Sequence, residues 1–206
     1  MPLTPIRNIR RQQLLEAAFE IMKREGLQNA TIEKIAKEIG ASKGLVHHYF
    51  TNKQELIEST LRYAHASRRL DAARRLGHSS TPSDRLWAAL SVILDPAYLE
   101  KGFCRVWISF SAEASRDPQL ARLERAIHRR ERSNLLHPLR QMAAEAEAKD
   151  AALGVKALIE GFRLRAALWS KDFDTRIATI EVLSFLRQKV PAFDQAAALN
   201  SAEPQI

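Results

Sequence analysis

The chain reads as an all-α protein. Its 206 residues include only 7 glycines and 8 prolines, fewer than the roughly 12% usual for globular chains, and so few breakers favour long helices. Apolar residues recur at three- and four-residue spacing in one segment after another, and no stretch alternates convincingly as a strand would.

Each element follows from that spacing and its punctuation. Between Arg10 and Glu25, Leu14, Leu15, Ala18, Phe19, Ile21 and Met22 make one amphipathic helix, stopped by Gly26. Thr31 is placed to cap a short helix with the stripe Ile32, Ile35, Ala36 and Ile39, ended by Gly40. Ser42 can cap another, with Leu45, Val46, Tyr49 and Phe50 on its apolar side. Thr51-Asn52-Lys53-Gln54-Glu55 carries both T-x-x-Q and N-x-x-E capping patterns, so a longer helix is expected from Lys53 to about Arg75. Gly77 to Pro82 is a breaker cluster. Helical patterns resume at Leu86–Ile93 and at Val106–Ala114, then over 118–147, 150–170 and 175–190, with Pro138 expected to kink or divide the first of these last three. The tail over 191–206 is Ala-rich and polar and is expected to be frayed or disordered.

Lys and Arg number 32 against 24 Asp and Glu, a formal charge of +8, with a pI near 9.9. That excess makes nucleic acid a candidate partner. The single cysteine, Cys104, excludes an internal disulfide framework and any C-x-x-C metal or redox pair. The chain start lacks a secretory apolar region, and the longest nearly apolar run, Ala88 to Leu94, is too short to span a bilayer. A cytoplasmic location with no membrane partner is the expectation. No H-E-x-x-H, G-x-S-x-G or phosphate-loop motif occurs, so no catalytic residue is assigned and an enzyme is not expected.

Two short capped helices joined by Gly40-Ala41 match a helix-turn-helix, whose second helix enters the DNA major groove. Taken alone, the spacing also suits two packed helices of any small bundle. The string Thr31-Ile32-x-x-Ile35-Ala36-x-x-Ile39-Gly40-Ala41-Ser42-Lys43-Gly44-x-x-x-His48-Tyr49-Phe50-x-x-Lys53-x-x-Leu56 resembles the DNA-binding signature of TetR-type transcriptional regulators. The resemblance implies a TetR-like homodimer. Residues 1–60 would form an N-terminal three-helix helix-turn-helix domain and 61–190 a helical ligand-binding and dimerisation domain. Within that family, Ile9 to Leu14, Trp107 to Leu135 and Ala157 to Leu168 resemble the choline-responsive repressors of the glycine-betaine pathway, while His65 to Gly102 match least. What this implies is a repressor of betaine-synthesis and choline-uptake genes that binds double-stranded operator DNA. It would need no cofactor and would be relieved by a small effector, choline. The alternative is a regulator of efflux or catabolic genes answering another cationic or hydrophobic ligand.

The DNA-binding candidates follow from chemistry and position. Arg10 and Arg11, with Arg7, open the first helix, where cations can reach phosphates; a solvated basic end is the other reading. Lys43 begins the recognition helix and suits phosphate or a guanine edge, and Gly44 permits close backbone approach or close helix packing. Leu45 can meet a thymine methyl, and His47 and His48 can hydrogen-bond to bases or phosphates, although the family often has Tyr where His47 stands. In the resemblance the Tyr49 hydroxyl binds the DNA backbone. Lys53 and Thr31 each stand at a helix start that favours an anion, and capping alone also explains Thr31. Adjacent histidines point to different helix faces and lack companions, so no metal site is assigned. Residues 1–60 net only +2; much of the remaining charge sits at Arg68, Arg69, Arg74 and Arg75 and over 122–132, where a solvated face laced with Glu124 and Glu131 is expected.

For a quaternary ammonium the candidates are aromatic faces with a carboxylate nearby. Trp107 and Phe110 share a helix face, followed by Glu113; Phe162 and Trp169 are further aromatics, with Trp87, Tyr98 and Phe103, and Glu160 and Asp95 are alternative acids. Glu160 stands beside Gly161 on an otherwise apolar helix, where a buried carboxylate would need a cationic or hydrogen-bonding partner such as Arg163 or Arg165. Core packing competes with each aromatic assignment. Gly154, Ala157 and Gly161 open a flat strip for another helix, either across a dimer or within one subunit.

Overall fold

The computed structural model describes residues 5–77, 79–169 and 174–193, with side chains from Arg7 onward. Among them there is no strand. Ten α-helices run in order through the described residues: α1 (Pro5–Glu25), α2 (Ile32–Glu38), α3 (Lys43–Tyr49), α4 (Lys53–Gly77), α5 (Pro82–Ile93), α6 (Pro96–Leu99), α7 (Lys101–Ala114), α8 (Pro118–Leu139), α9 (Glu145–Leu168) and α10 (Thr175–Lys189). A 3-10 turn, Leu27–Asn29, follows α1.

Local chemistry sets these boundaries. Gly26 adopts φ +94°, a left-handed conformation that side chains disfavour, and α1 stops there. At the start of α5, Asp84 N–H donates to Thr81 Oγ1 (3.1 Å) and Thr81 N–H to Asp84 Oδ2 (3.0 Å), with Pro82 at the first helical position. Pro138 divides the long apolar pattern rather than bending it. It lies in the last turn of α8, and α9 begins anew at Glu145. Of the capping patterns before α4, the Asn-Glu one is used: Glu55 N–H donates to Asn52 Oδ1 at 2.9 Å, and Thr51 N–H to the Glu55 carboxylate at 2.7 Å.

The chain divides into two compact units, one of residues up to Ser67 with Arg105–Leu123, the other of Arg68–Cys104 with the chain from Glu124 onward. In the first, Leu14, Ala18, Ile21 and Met22 of α1, Ile35 of α2, Val46 of α3, Phe50 and Leu56 are fully buried or nearly so. In the second, a core runs from Leu86 and Leu90 through Leu135 and Leu139 to Val155, Val182 and Leu186. There α9 lies against α10, and a Cβ built at Gly154 would overlap the Phe185 ring. Of the two readings of the small-residue strip, Gly154 therefore follows the internal one. Val190 and Phe193 are buried in the same core, so the chain is packed as far as Phe193 and not loose from Pro191 as expected; residues 194–206 lie outside the described residues.

Candidate nucleic-acid interface and effector region

The turn between α2 and α3 is a Schellman arrangement. Gly40 takes φ +63°, its N–H reaches the Lys37 carbonyl at 3.2 Å, and the Ala41 N–H reaches the Ala36 carbonyl at 2.8 Å. Thr31 Oγ1 accepts from Lys34 N–H (3.3 Å) and Ser42 Oγ from Leu45 N–H (3.2 Å), so both hydroxyls act as helix caps. Buried Val46 and Phe50 fix which face of α3 turns inward. Lys43, Gly44, His47 and His48 are consequently exposed, and Leu45 and Tyr49 half-buried. A Cβ at Gly44 would meet only Ser42 Oγ, at an ordinary 3.7 Å, so close helix packing does not explain this glycine.

The cations around this face fall into two groups. Lys43 is exposed and reaches Glu33 Oε1 at 2.8 Å, a hydrogen bond that holds the Glu33 carboxyl down at about 2. Arg10 is exposed and bonds Gln13 (2.9 Å), and Arg7 lies 6.0 Å from the Tyr49 ring centroid. Arg11 instead stacks 5.1 Å from the Phe50 ring centroid and donates to Ser59 Oγ (3.1 Å). Lys53 donates to the Gln28 carbonyl at 2.6 Å. Arg11 and Lys53, expected from sequence to contact phosphates, are half-buried and hold these partners within the protein, whereas Arg7, Arg10 and Lys43 are exposed. Among the described residues no three His, Cys, Asp or Glu side chains gather as a metal site.

The expected effector residues divide between the two units. In the first, the Trp107 and Phe110 rings meet edge-on with centroids 5.5 Å apart, both buried. Glu113 turns instead to Gln28 Nε2 (2.6 Å), at a groove of about 330 Å³ that Lys53 and Ile57 also line. In the second, Phe162 packs against the hydrophobic core and Trp169 is exposed. Glu160 is no buried carboxylate: it is 51% exposed and faces Lys156 (3.8 Å) and His128 (4.0 Å).

The buried charges lie elsewhere. Arg68, Glu131 and Arg163 are each less than a tenth exposed. Glu131 meets Arg68 at 3.3 Å, Lys156 at 3.7 Å and Arg163 at 3.8 Å. Burial alone would push the Glu131 carboxyl up, but Arg163, Arg68, Lys156 and His128 outweigh it and hold the group below its ordinary value. Burial, then repulsion from Arg163, lowers Arg68 to about 10. This overturns the solvated face expected at Arg68 and Glu131. The sequence does carry a signal for it: Leu56, Thr60, Ala64 and Arg68 recur at four-residue spacing down α4, as do Val155, Ile159 and Arg163 down α9, so each arginine continues a core stripe.

Comparison with known proteins places this architecture. Residues 14–60 match the model of the bacterial regulatory proteins of the tetR family, and residues 82–190 match the C-terminal model of BetI-type transcriptional repressors. The chain belongs to the TetR family. The BetI regulator of Klebsiella pneumoniae is 34% identical over 93% of this chain and 99% of its own length. That of Serratia proteamaculans is 35% identical over 84% and 89%. Among solved structures, a transcriptional regulator from Saccharomonospora viridis in complex with choline superposes with a TM-score of 0.79 at 19% identity, covering 89% of this chain and 98% of the other. A TetR regulator from Haloarcula marismortui gives 0.80 at 18%, covering 89% and 99%. These families are DNA-binding transcriptional regulators and not enzymes, and the chain is a BetI-type repressor.

Proposed function

We propose that this repressor acts in the cytoplasm as a homodimer on a near-palindromic operator controlling glycine-betaine synthesis and choline uptake, and that choline relieves repression. The observation that carries the reading is the BetI-type match across residues 82–190, the half of the chain outside the helix-turn-helix. The exposed Lys43, His47 and His48 of α3, backed by a buried Val46, are what a groove-reading helix requires.

Dimerisation is supported by the faces of α9 and α10 left outside the core. Leu153, Leu164 and Leu168 are 43–70% exposed on α9, and Ile177 and Ile180 are 47% and 61% exposed on α10. Ala157 and Gly161 lie on the same exposed stripe of α9, where small side chains let a partner helix approach. A second copy presenting the same faces would close a four-helix interface.

Half-sites one helical turn apart, roughly 34–36 Å, demand a matching separation of recognition helices, so an effector that alters this separation weakens binding. By linkage, operator DNA must weaken choline binding by the same factor. Fluorescence anisotropy on a duplex from the promoter beside the gene tests the reading, at fixed salt with and without millimolar choline. Tight, sequence-selective binding that choline weakens is expected. Binding indifferent to choline would move the effector assignment to another cationic or hydrophobic ligand, and a thermal-shift panel of choline, betaine aldehyde, glycine betaine and lipophilic cations would identify it.

A further inference from the structure

We propose that the effector's cationic group binds in a corner formed by Tyr98, Phe103 and Glu131, and that in the effector-free protein the guanidinium of Arg68 occupies this corner in its place. The corner gives a site to the quaternary ammonium of the proposed function, and rests on that reading of the effector.

The corner has the parts such a cation needs. The Tyr98 and Phe103 rings stand 5.2 Å apart, centroid to centroid, with planes at 61°, so they form two angled walls. Arg68 Cζ lies 5.1 Å from the first ring centroid and 5.6 Å from the second. Its Nη2 donates to Glu131 Oε1 at 3.3 Å. Two aromatic faces and a buried carboxylate recognise a cation that carries no N–H donors, because the attraction to a ring face is electrostatic and grows as water is removed. A guanidinium is the protein cation best suited to the same place, being weakly hydrated and planar.

One wall, Tyr98, is tethered through its hydroxyl. The Tyr98 hydroxyl donates to Asp71 Oδ2 at 2.7 Å, which sets the ring's angle without using its face. Arg75 reaches Asp95 at 2.9 Å, next to the start of α6. Arg68, Asp71 and Arg75 all lie on α4, so one helix supplies the occupant and the tethers.

Charge conservation dictates how a ligand enters. A second cation beside Arg68 would meet like charge in a buried site already shared by Arg163 and Lys156. Exchange leaves the charge in the corner unchanged and Glu131 still paired. The exchange acts on α4, which begins at Lys53, four residues after α3 ends. Entry of the effector is thereby coupled to the helix that follows the recognition helix in the chain.

The test is calorimetric titration of the full-length protein with choline and with tetramethylammonium. If Arg68 fills the corner about nine-tenths of the time, Arg68→Met should bind either ligand about tenfold tighter than wild type. Phe103→Leu should weaken binding in both backgrounds. A folded Arg68→Met that binds tetramethylammonium no better than wild type overturns the proposal, as does absence of tetramethylammonium binding to both proteins. Choline failing where tetramethylammonium gains would sink the choline reading alone and support the corner. Should Arg68→Met not fold, arginine Nε–H resonances of the wild type decide. The ring-shifted Arg68 signal should move to the free-arginine position at saturating tetramethylammonium, and a signal that stays shifted refutes the exchange.

Discussion

Lys43, at the start of α3, leaves 61% of its side chain in water while meeting Glu33 at 2.8 Å; Arg68, on α4, leaves 4% and meets Glu131 at 3.3 Å. The two pairs use the same chemistry at opposite ends of the solvation scale. An exposed pair is screened and gains little, so Lys43 can leave Glu33 for a phosphate at small cost. A buried pair has given up hydration on both sides, and removing one partner strands the other. Surface cations in this protein can therefore change partners readily, whereas the buried one can leave only if another cation replaces it. That contrast matches the two tasks of a repressor: binding a polyanion reversibly, and registering a small effector.

The largest effect should come from breaking the buried side. Glu131→Ala leaves Arg68, Arg163 and Lys156 around an absent carboxylate, and a loss of about 3–5 kcal/mol is expected by urea titration at neutral pH. The pH dependence has a definite sign. The folded Glu131 carboxyl lies below its ordinary value, so its stabilisation is complete above the unfolded carboxylate range, about 4.3, and fades as pH falls through the folded value. Wild type should lose stability in acid more steeply than Glu131→Gln. Parallel acid profiles would show that the cluster does not depend on the ionised carboxylate.

Next in size is the exposed apolar face. Leu164→Glu on α9 introduces a charge at the centre of the proposed dimer surface, and sedimentation should show the dimer constant weakened by about thirtyfold, the 2 kcal/mol typical of an interface hot spot. Operator affinity should fall with it, since two half-sites need two recognition helices. An unchanged dimer would move the interface off this face.

Third come the cations near α3, which the structure separates into two kinds. Lys43→Ala should cost roughly tenfold in operator affinity and make the logarithmic salt dependence shallower by about 0.9 for each phosphate that Lys43 neutralises. Arg11→Ala should leave that slope unchanged and lower the melting temperature, because Arg11 is engaged with Phe50 and Ser59. A shallower slope in Arg11→Ala would return it to the phosphate-binding set.

How far each region can be read in the sequence follows from the same contrast. The helix-turn-helix is legible because its determinants are local. Thr31, Gly40 and Ser42 act within a few residues of themselves, and the α2 stripe Ile32, Ile35, Ala36 and Ile39 follows helical spacing, with Ile35 and Ala36 buried. The buried cluster joins α4, α8 and α9; Arg68 and Glu131 alone stand 63 positions apart, and no local pattern says which charges meet. Sequence favours a solvated place for both because charged residues usually have one. Only the spacing from Thr60 and Ile159 hints otherwise. Glu160 misleads in the opposite direction: its apolar neighbours suggest burial, but it lies on the exposed side of α9, with Ala157 and Leu164.

The smallest effect tests the reversible side directly. Glu33 holds Lys43 in the free protein, and that hydrogen bond keeps its carboxyl near 2, so the glutamate is charged at any working pH. To contact DNA, Lys43 must leave Glu33, and the carboxylate then sits beside incoming phosphates. Glu33→Gln removes both the competitor and the like charge. Operator affinity should rise by about two- to threefold at low salt, with the gain shrinking as ionic strength rises, because the pair and the repulsion are both screened. The double variant Glu33→Gln with Lys43→Ala should lose the part of the gain that comes from releasing Lys43 and keep the part that comes from reduced repulsion. A gain carried undiminished into the double variant would show that Glu33 acts on the phosphates alone, and that its bond to Lys43 does not compete with DNA.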